Sequence, residues 1–130
     1  MELKLGVDLS SYQEDLTKEL FKQLIDNGMT FVIFKVQSVK QGTSILAEDT
    51  RAEIYKAWCL EFNIPYGIYI YAYPGISFQD QITMTKNLQI KYNPKITFID
   101  AEEYLNYSTN APYTSVYLND FYKRYYDSLS

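Results

Sequence analysis

Four short apolar, β-branched or aromatic runs, Leu3 to Leu9, Phe31 to Gln37, Tyr66 to Tyr71 and Ile96 to Asp100, are separated by segments whose apolar residues recur at helical spacing. This alternation constrains the fold more than any other feature, because strands that alternate with helices pair in parallel through right-handed βαβ units. The first helical pattern, Leu16, Leu20, Phe21, Leu24 and Ile25, stops at Asn27-Gly28, a pair suited to a helix exit. A second holds Ile54, Ala57, Trp58 and Cys59 and ends at Asn63-Ile64-Pro65, where proline cannot continue the helix. A third runs from near Phe78 to Tyr92 before Asn93-Pro94, and a fourth carries Tyr117, Phe121 and Tyr125. The length suits one domain, residues 1–130, with enough apolar and aromatic content for a core. A doubly wound sheet and a barrel both satisfy the pattern. No Gly-x-Gly-x-x-Gly follows the first strand and no Walker loop occurs, so nucleotide binding has little support.

In either parallel architecture, functional groups gather at the C-terminal ends of the strands. That rim is predicted to receive Asp8, Gln37, Ser38, Tyr71, Asp100 and Glu102. The run Thr97-Phe98-Ile99-Asp100-Ala101-Glu102 ends in two carboxylates two residues apart. In an extended strand such side chains share a face, separated by a rise of about 6.6 Å. They would point the same way without touching and leave room for a bond to be cleaved between an acid and a base. The plainer reading of one Asp-x-Glu is a solvated strand end. Histidine is absent. Its absence removes Ser-His and Cys-His nucleophile systems and the commonest metal ligand, so carboxylates inherit any acid–base role. Three carboxylates can also ligate Mg²⁺ or Ca²⁺, but the reading preferred here needs no metal and no cofactor.

A net charge of −4, with no basic run, argues against a nucleic-acid partner. Fourteen tyrosines favour a neutral, weakly polar one, since tyrosine joins a flat apolar face to a hydroxyl and suits carbohydrate rings. Tyr12 and Tyr71, at or just past predicted strand ends, are best placed to stack on sugars. Tyr104 and Tyr107 follow in the loop after Glu102, and the Tyr117 to Tyr126 cluster has the spacing of a packed helix face. Cys59 is the single cysteine, so no intramolecular disulfide can form and a buried thiol is expected. The stretch Met1-Glu2-Leu3-Lys4-Leu5 lacks the basic and long apolar parts of a secretory signal. No apolar run reaches the length of about 18 residues that spans a bilayer.

Gly6-Val7-Asp8-Leu9-Ser10-Ser11-Tyr12-Gln13, Phe31-Val32-Ile33-Phe34-Lys35, Gly67-Ile68-Tyr69 and Phe98-Ile99-Asp100-Ala101-Glu102 occur in the order seen in glycoside hydrolase family 25. The chain resembles these Chalaropsis-type lysozymes, N-acetylmuramidases of phage endolysins, bacterial autolysins and some fungi, over nearly its whole length. The resemblance implies alternating βαβ units in an incomplete TIM-like (β/α) barrel with an acidic groove at the C-terminal rim. It implies a peptidoglycan hydrolase that cuts the β-1,4 bond between N-acetylmuramic acid and N-acetylglucosamine. Carried over by position, Glu102 matches the general acid, Asp100 the adjacent carboxylate, Asp8 the aspartate ending the first strand, and Tyr69 the tyrosine of the third. Crowding by Asp100 and Asp8 is then expected to raise the pKa of Glu102. Asp100 would stabilise an oxocarbenium-like centre or orient the acetamido group, and water would complete hydrolysis.

Three features depart from the family. Its second strand usually ends Lys-Ala-Thr-Glu-Gly, whereas Lys35-Val36-Gln37-Ser38-Val39 puts Ser38 where the glutamate is expected. Its third usually reads Gly-Ala-Tyr-His-Phe, and Gly67-Ile68-Tyr69-Ile70-Tyr71 has Ile70 in place of histidine. The chain also corresponds only to the N-terminal two-thirds of the family fold, so a downstream segment or partner chains are expected to complete the barrel. These departures leave an alternative: a catalytically inactive lysozyme-like module with a glycan-binding or structural role in a larger assembly. In either case the expected partner is the peptidoglycan glycan strand. Action on the cell wall would follow release by lysis or carriage in a virion, as for a phage tail lysin.

Overall fold

The computed structural model describes residues 4–106 and 109–130; Met1 to Leu3, with the start of the first expected strand, and Tyr107 lie outside the described residues. In chain order the elements are β1 (Leu5–Leu9), α1 (Lys18–Asp26), β2 (Met29–Val39), β3 (Leu46–Glu48), α2 (Ala52–Glu61), β4 (Tyr66–Tyr71), α3 (Phe78–Tyr92), β5 (Thr97–Asp100), β6 (Leu105–Asn106), β7 (Ala111–Pro112) and α4 (Ser115–Leu129). The strands β1, β2, β4 and β5 lie side by side in that order, all parallel. β3 folds back antiparallel on the end of β2, and β6 pairs with β7 in a separate hairpin.

Local chemistry sets the helix limits. The side chains of Thr17, Ser77 and Thr114 accept hydrogen bonds from the backbone N–H groups of Leu20, Asp80 and Tyr117, capping α1, α3 and α4. Asn93 adopts the left-handed conformation (φ 45°) that closes α3 just before Pro94. The core lies between one face of the sheet and all four helices. Val32, Phe34 and Val36 of β2 and Ile68 and Ile70 of β4 meet Phe21 of α1, Tyr55 and Cys59 of α2, Leu88 and Tyr92 of α3, and Phe121 and Tyr125 of α4. Burial pushes the Cys59 thiol up to about 12, in keeping with its expected inert, interior place.

Strand order follows chain order without reversal, and the core places the helices on a single face. A doubly wound sheet reverses its order and carries helices on both faces, so the barrel-like alternative is the one adopted. The sheet is unclosed: among the described residues, β1 and β5 each keep one edge without a strand partner. Alternation then divides the side chains. Residues 32, 34 and 36 of β2 turn into the core, while Ile33 and Lys35 turn to the concave face, where they are only half-buried.

One rim residue is misplaced by simple alternation. The β2–β4 register shifts between Lys35 and Gln37, so Val36 and Gln37 are both fully buried. Gln37 therefore enters the core rather than the rim: its Oε1 accepts from Thr85 Oγ1 at 2.8 Å, and its Nε2 donates to the Tyr125 hydroxyl at 3.2 Å. Among the described residues, no helix is long and apolar enough to cross a membrane.

Candidate active site

The C-terminal end of β5 carries Asp100, and beyond it the chain leaves the strand through residues 101–104. The two-residue rise of an extended strand therefore does not apply to Asp100 and Glu102. Glu102 instead lies near enough to Asp100 to perturb its carboxyl directly. Burial, followed by the adjacent Glu102 carboxyl, pushes the Asp100 carboxyl up to about 6. Asp8 adds a smaller push, and the Lys35 ammonium pulls the other way. The sequence expectation placed the raised pKa on Glu102. The structure places one on Asp100, the half-buried member, while Glu102 is exposed.

Lys35 is the hub of the concave face. Its Nζ lies 5.4 Å from the ring centroid of Tyr12, 5.7 Å from Tyr69 and 5.8 Å from Tyr71. An ammonium among three aromatic faces is held by their quadrupoles and stays close enough to Asp100 to favour its charged form. Tyr69 lies opposite Lys35 in the β2–β4 register, with the Ser10 side chain near enough to ease its ionisation. Burial and the charges of Asp8 and Asp100 push its hydroxyl up to about 12. Tyr12, Tyr69 and Tyr71 thus converge on Lys35, which also acts on Asp100, and Glu102 and Asp8 act on Asp100 in turn.

Tyr12 is 78% exposed yet sits on a pinned turn. Asp49 accepts from the Ser11 N–H at 3.0 Å and the Arg51 N–H at 2.9 Å. The Arg51 guanidinium donates to the carbonyls of Glu14 (2.8 Å) and Leu16 (2.7 Å), and the Tyr55 hydroxyl donates to the Ser10 carbonyl at 2.7 Å. Ser38 behaves differently: its hydroxyl donates to the neighbouring Val39 carbonyl at 3.3 Å, and the residue pairs with Ala47 of β3.

Sequence reasoning gave no role to Lys35, Ser10 or Glu103. A charge inside the run Phe31 to Val36 was the available signal for Lys35. Glu103 looks like one more solvated acid after Glu102, but it is buried. Its carboxylate accepts from the Tyr71 hydroxyl at 3.2 Å and its backbone carbonyl from the Tyr122 hydroxyl at 2.9 Å. Together they tie the loop after β5 to β4 and α4. Burial and the Glu103 carboxylate push the Tyr71 hydroxyl up. Among the described residues, no group of three or more acidic or cysteine side chains is arranged to hold a metal ion.

Neither a protein-family model nor a curated protein matches the chain. Its fold is similar to that of two solved structures of the modular autolysin LytC from Streptococcus pneumoniae. The structure in complex with a synthetic peptidoglycan ligand gives a TM-score of 0.68 at 23% identity, over 95% of this chain and 29% of that one. The structure at 1.6 Å resolution gives 0.63 at 20% identity, over 96% and 30%. The likeness is one of fold, and this chain spans under a third of the length of those it matches.

Proposed function

We propose that this chain is a lysozyme-like glycan hydrolase that cleaves the β-1,4 bond between N-acetylmuramic acid and N-acetylglucosamine in peptidoglycan. The observation that carries the reading is the placing of Asp100 at the C-terminal rim of a parallel sheet, with Glu102 and Asp8 near enough to raise its pKa and Lys35, ringed by three tyrosines, near enough to lower it. The fold likeness to an autolysin whose structure holds a peptidoglycan ligand supports the choice of substrate. Below about pH 6 the pair keeps one proton, because two adjacent carboxylates resist double ionisation. Glu102, the exposed member, delivers it to the leaving oxygen. Asp100 backs Glu102, and Asp8 faces the positive charge that develops on the sugar. Tyr12, Tyr69 and Tyr71 stack on or orient the rings, and Ser38 lies further along β2 toward the same rim. On this reading the whole chain serves as one lysozyme-like catalytic domain, acting on the cell wall after release by lysis or from a virion.

Clearing of a bacterial cell-wall suspension tests the reading. Glu102→Gln removes the transferable proton and lowers the rate about 10²- to 10⁴-fold. Equal clearing by wild type and variant, or clearing by neither, rejects catalysis. A second reading, a non-catalytic glycan-binding or structural module, is favoured by Ser38 in the glutamate position and by the unclosed sheet. It predicts sedimentation of the chain with peptidoglycan and no release of reducing ends.

A further inference from the structure

Tyr113 and Tyr117 form a parallel stack, with centroids 4.7 Å apart and planes at 16°. Both are tied to the loop between β4 and α3. The Tyr117 hydroxyl donates to the Pro74 carbonyl at 3.1 Å, and the Tyr113 hydroxyl lies so close to Gly75 that a Cβ there would come within 3.1 Å of it. The Tyr113 N–H donates to the Tyr104 carbonyl at 2.8 Å, and Thr114 caps α4 between the two rings. The pair is therefore rigid. Its outer ring nevertheless stays open, with Tyr117 44% exposed. Loop stapling explains the two hydroxyl positions but not an uncovered ring.

The stack is tied to the loops that carry the site: Pro74, which accepts from Tyr117, follows Tyr73, whose ring packs on Tyr71 at 4.6 Å, and Tyr104, which accepts from Tyr113, follows Glu103, which accepts from Tyr71. We propose that Tyr117, backed by Tyr113, is a sugar-stacking platform for an N-acetylhexosamine ring of the bound glycan, beyond the rings that flank Asp100 and Glu102. This rests on the glycan reading above and extends the cleft rather than the chemistry. A neutral hexosamine fits the surroundings. The acidic rim and the net charge of −4 repel phosphate-bearing ligands, whereas a sugar offers an apolar face to the ring and hydroxyls to the rim. Rigid aromatic side chains bind with little ordering cost.

The test is calorimetric titration of the full chain, in a Glu102→Gln background so that the probe is not consumed, with the hexamer and the dimer of β-1,4-linked N-acetylglucosamine. The parent binds the hexamer more tightly than the dimer. Tyr117→Ala weakens hexamer binding about fivefold or more, while dimer binding is unchanged. Tyr117→Phe, which loses the bond to Pro74 but keeps the ring, retains hexamer affinity. Hexamer preference that survives Tyr117→Ala, equal losses in the Ala and Phe variants, or no preference in the parent overturns the platform. Wall clearing by the chain with Glu102 intact is measured in parallel. A chain that clears walls without hexamer preference overturns the platform alone, whereas one that neither binds nor clears overturns the glycan reading with it.

Discussion

At Asp100 the Lys35 ammonium opposes the charges of Glu102 and Asp8, and this balance bears on how readily the acid holds its proton. Replacing Lys35 by an apolar side chain of similar length removes a charge that favours ionised Asp100. Lys35→Met therefore raises the apparent pKa of the pair, and the alkaline limb of the pH–rate profile moves upward. An unmoved limb would show that Lys35 serves the tyrosines alone. Asp100 makes a second prediction. Its folded pKa, about 6, lies above the ordinary 3.8, so the fold favours the neutral acid. Its contribution to stability is complete below about pH 4 and is lost as pH rises through about 6. Asp100→Asn, which keeps the neutral shape, flattens the pH dependence of Tm across that window and melts higher than wild type at pH 7. Parallel Tm–pH curves for the two proteins would contradict the assignment.

The elements show why most of the fold could be read ahead and part of the site could not. Uniform apolar runs and helix-stop signals are local, so Tyr66–Tyr71 and Phe78–Tyr92 appear with the limits that the sequence suggests. The β2 bulge is not local, because it depends on how β4 pairs with β2. One extra residue there carries Gln37 from the rim to a buried bond network with Thr85 of α3 and Tyr125 of α4. Likewise Glu103 is defined by tyrosines 32 and 19 residues away, and Asp49 by backbone groups 38 residues back. Gln37→Leu tests this placement: stripping a partner from two buried hydroxyls costs about 1–3 kcal/mol in urea unfolding. A solvent-facing Gln37 would show a change within about 0.5 kcal/mol.

At the scale of the molecule, four parallel βα units form an open, barrel-like layer. The edges of β1 and β5 are unpaired among the described residues, and Ile96 and Phe98 near the β5 edge are 51% and 42% exposed. Unpaired strand edges beside apolar side chains template association. Sedimentation velocity is predicted to show concentration-dependent self-association of the isolated chain, and a strictly monomeric species with one cooperative melt would contradict it. The same open sheet carries Asp100 and the Lys35 hub with its three tyrosine rings, the arrangement on which the proposed glycan reading rests. Cleavage on the muramic acid side of the bond, with Asp100 and Glu102 as the proposed acid pair, is checked by mass spectrometry of the sugars released from purified peptidoglycan after borohydride reduction. Reduced N-acetylmuramic acid ends are expected with wild type and none with Glu102→Gln; reduced N-acetylglucosamine ends, or no new ends from either protein, rule this cleavage out.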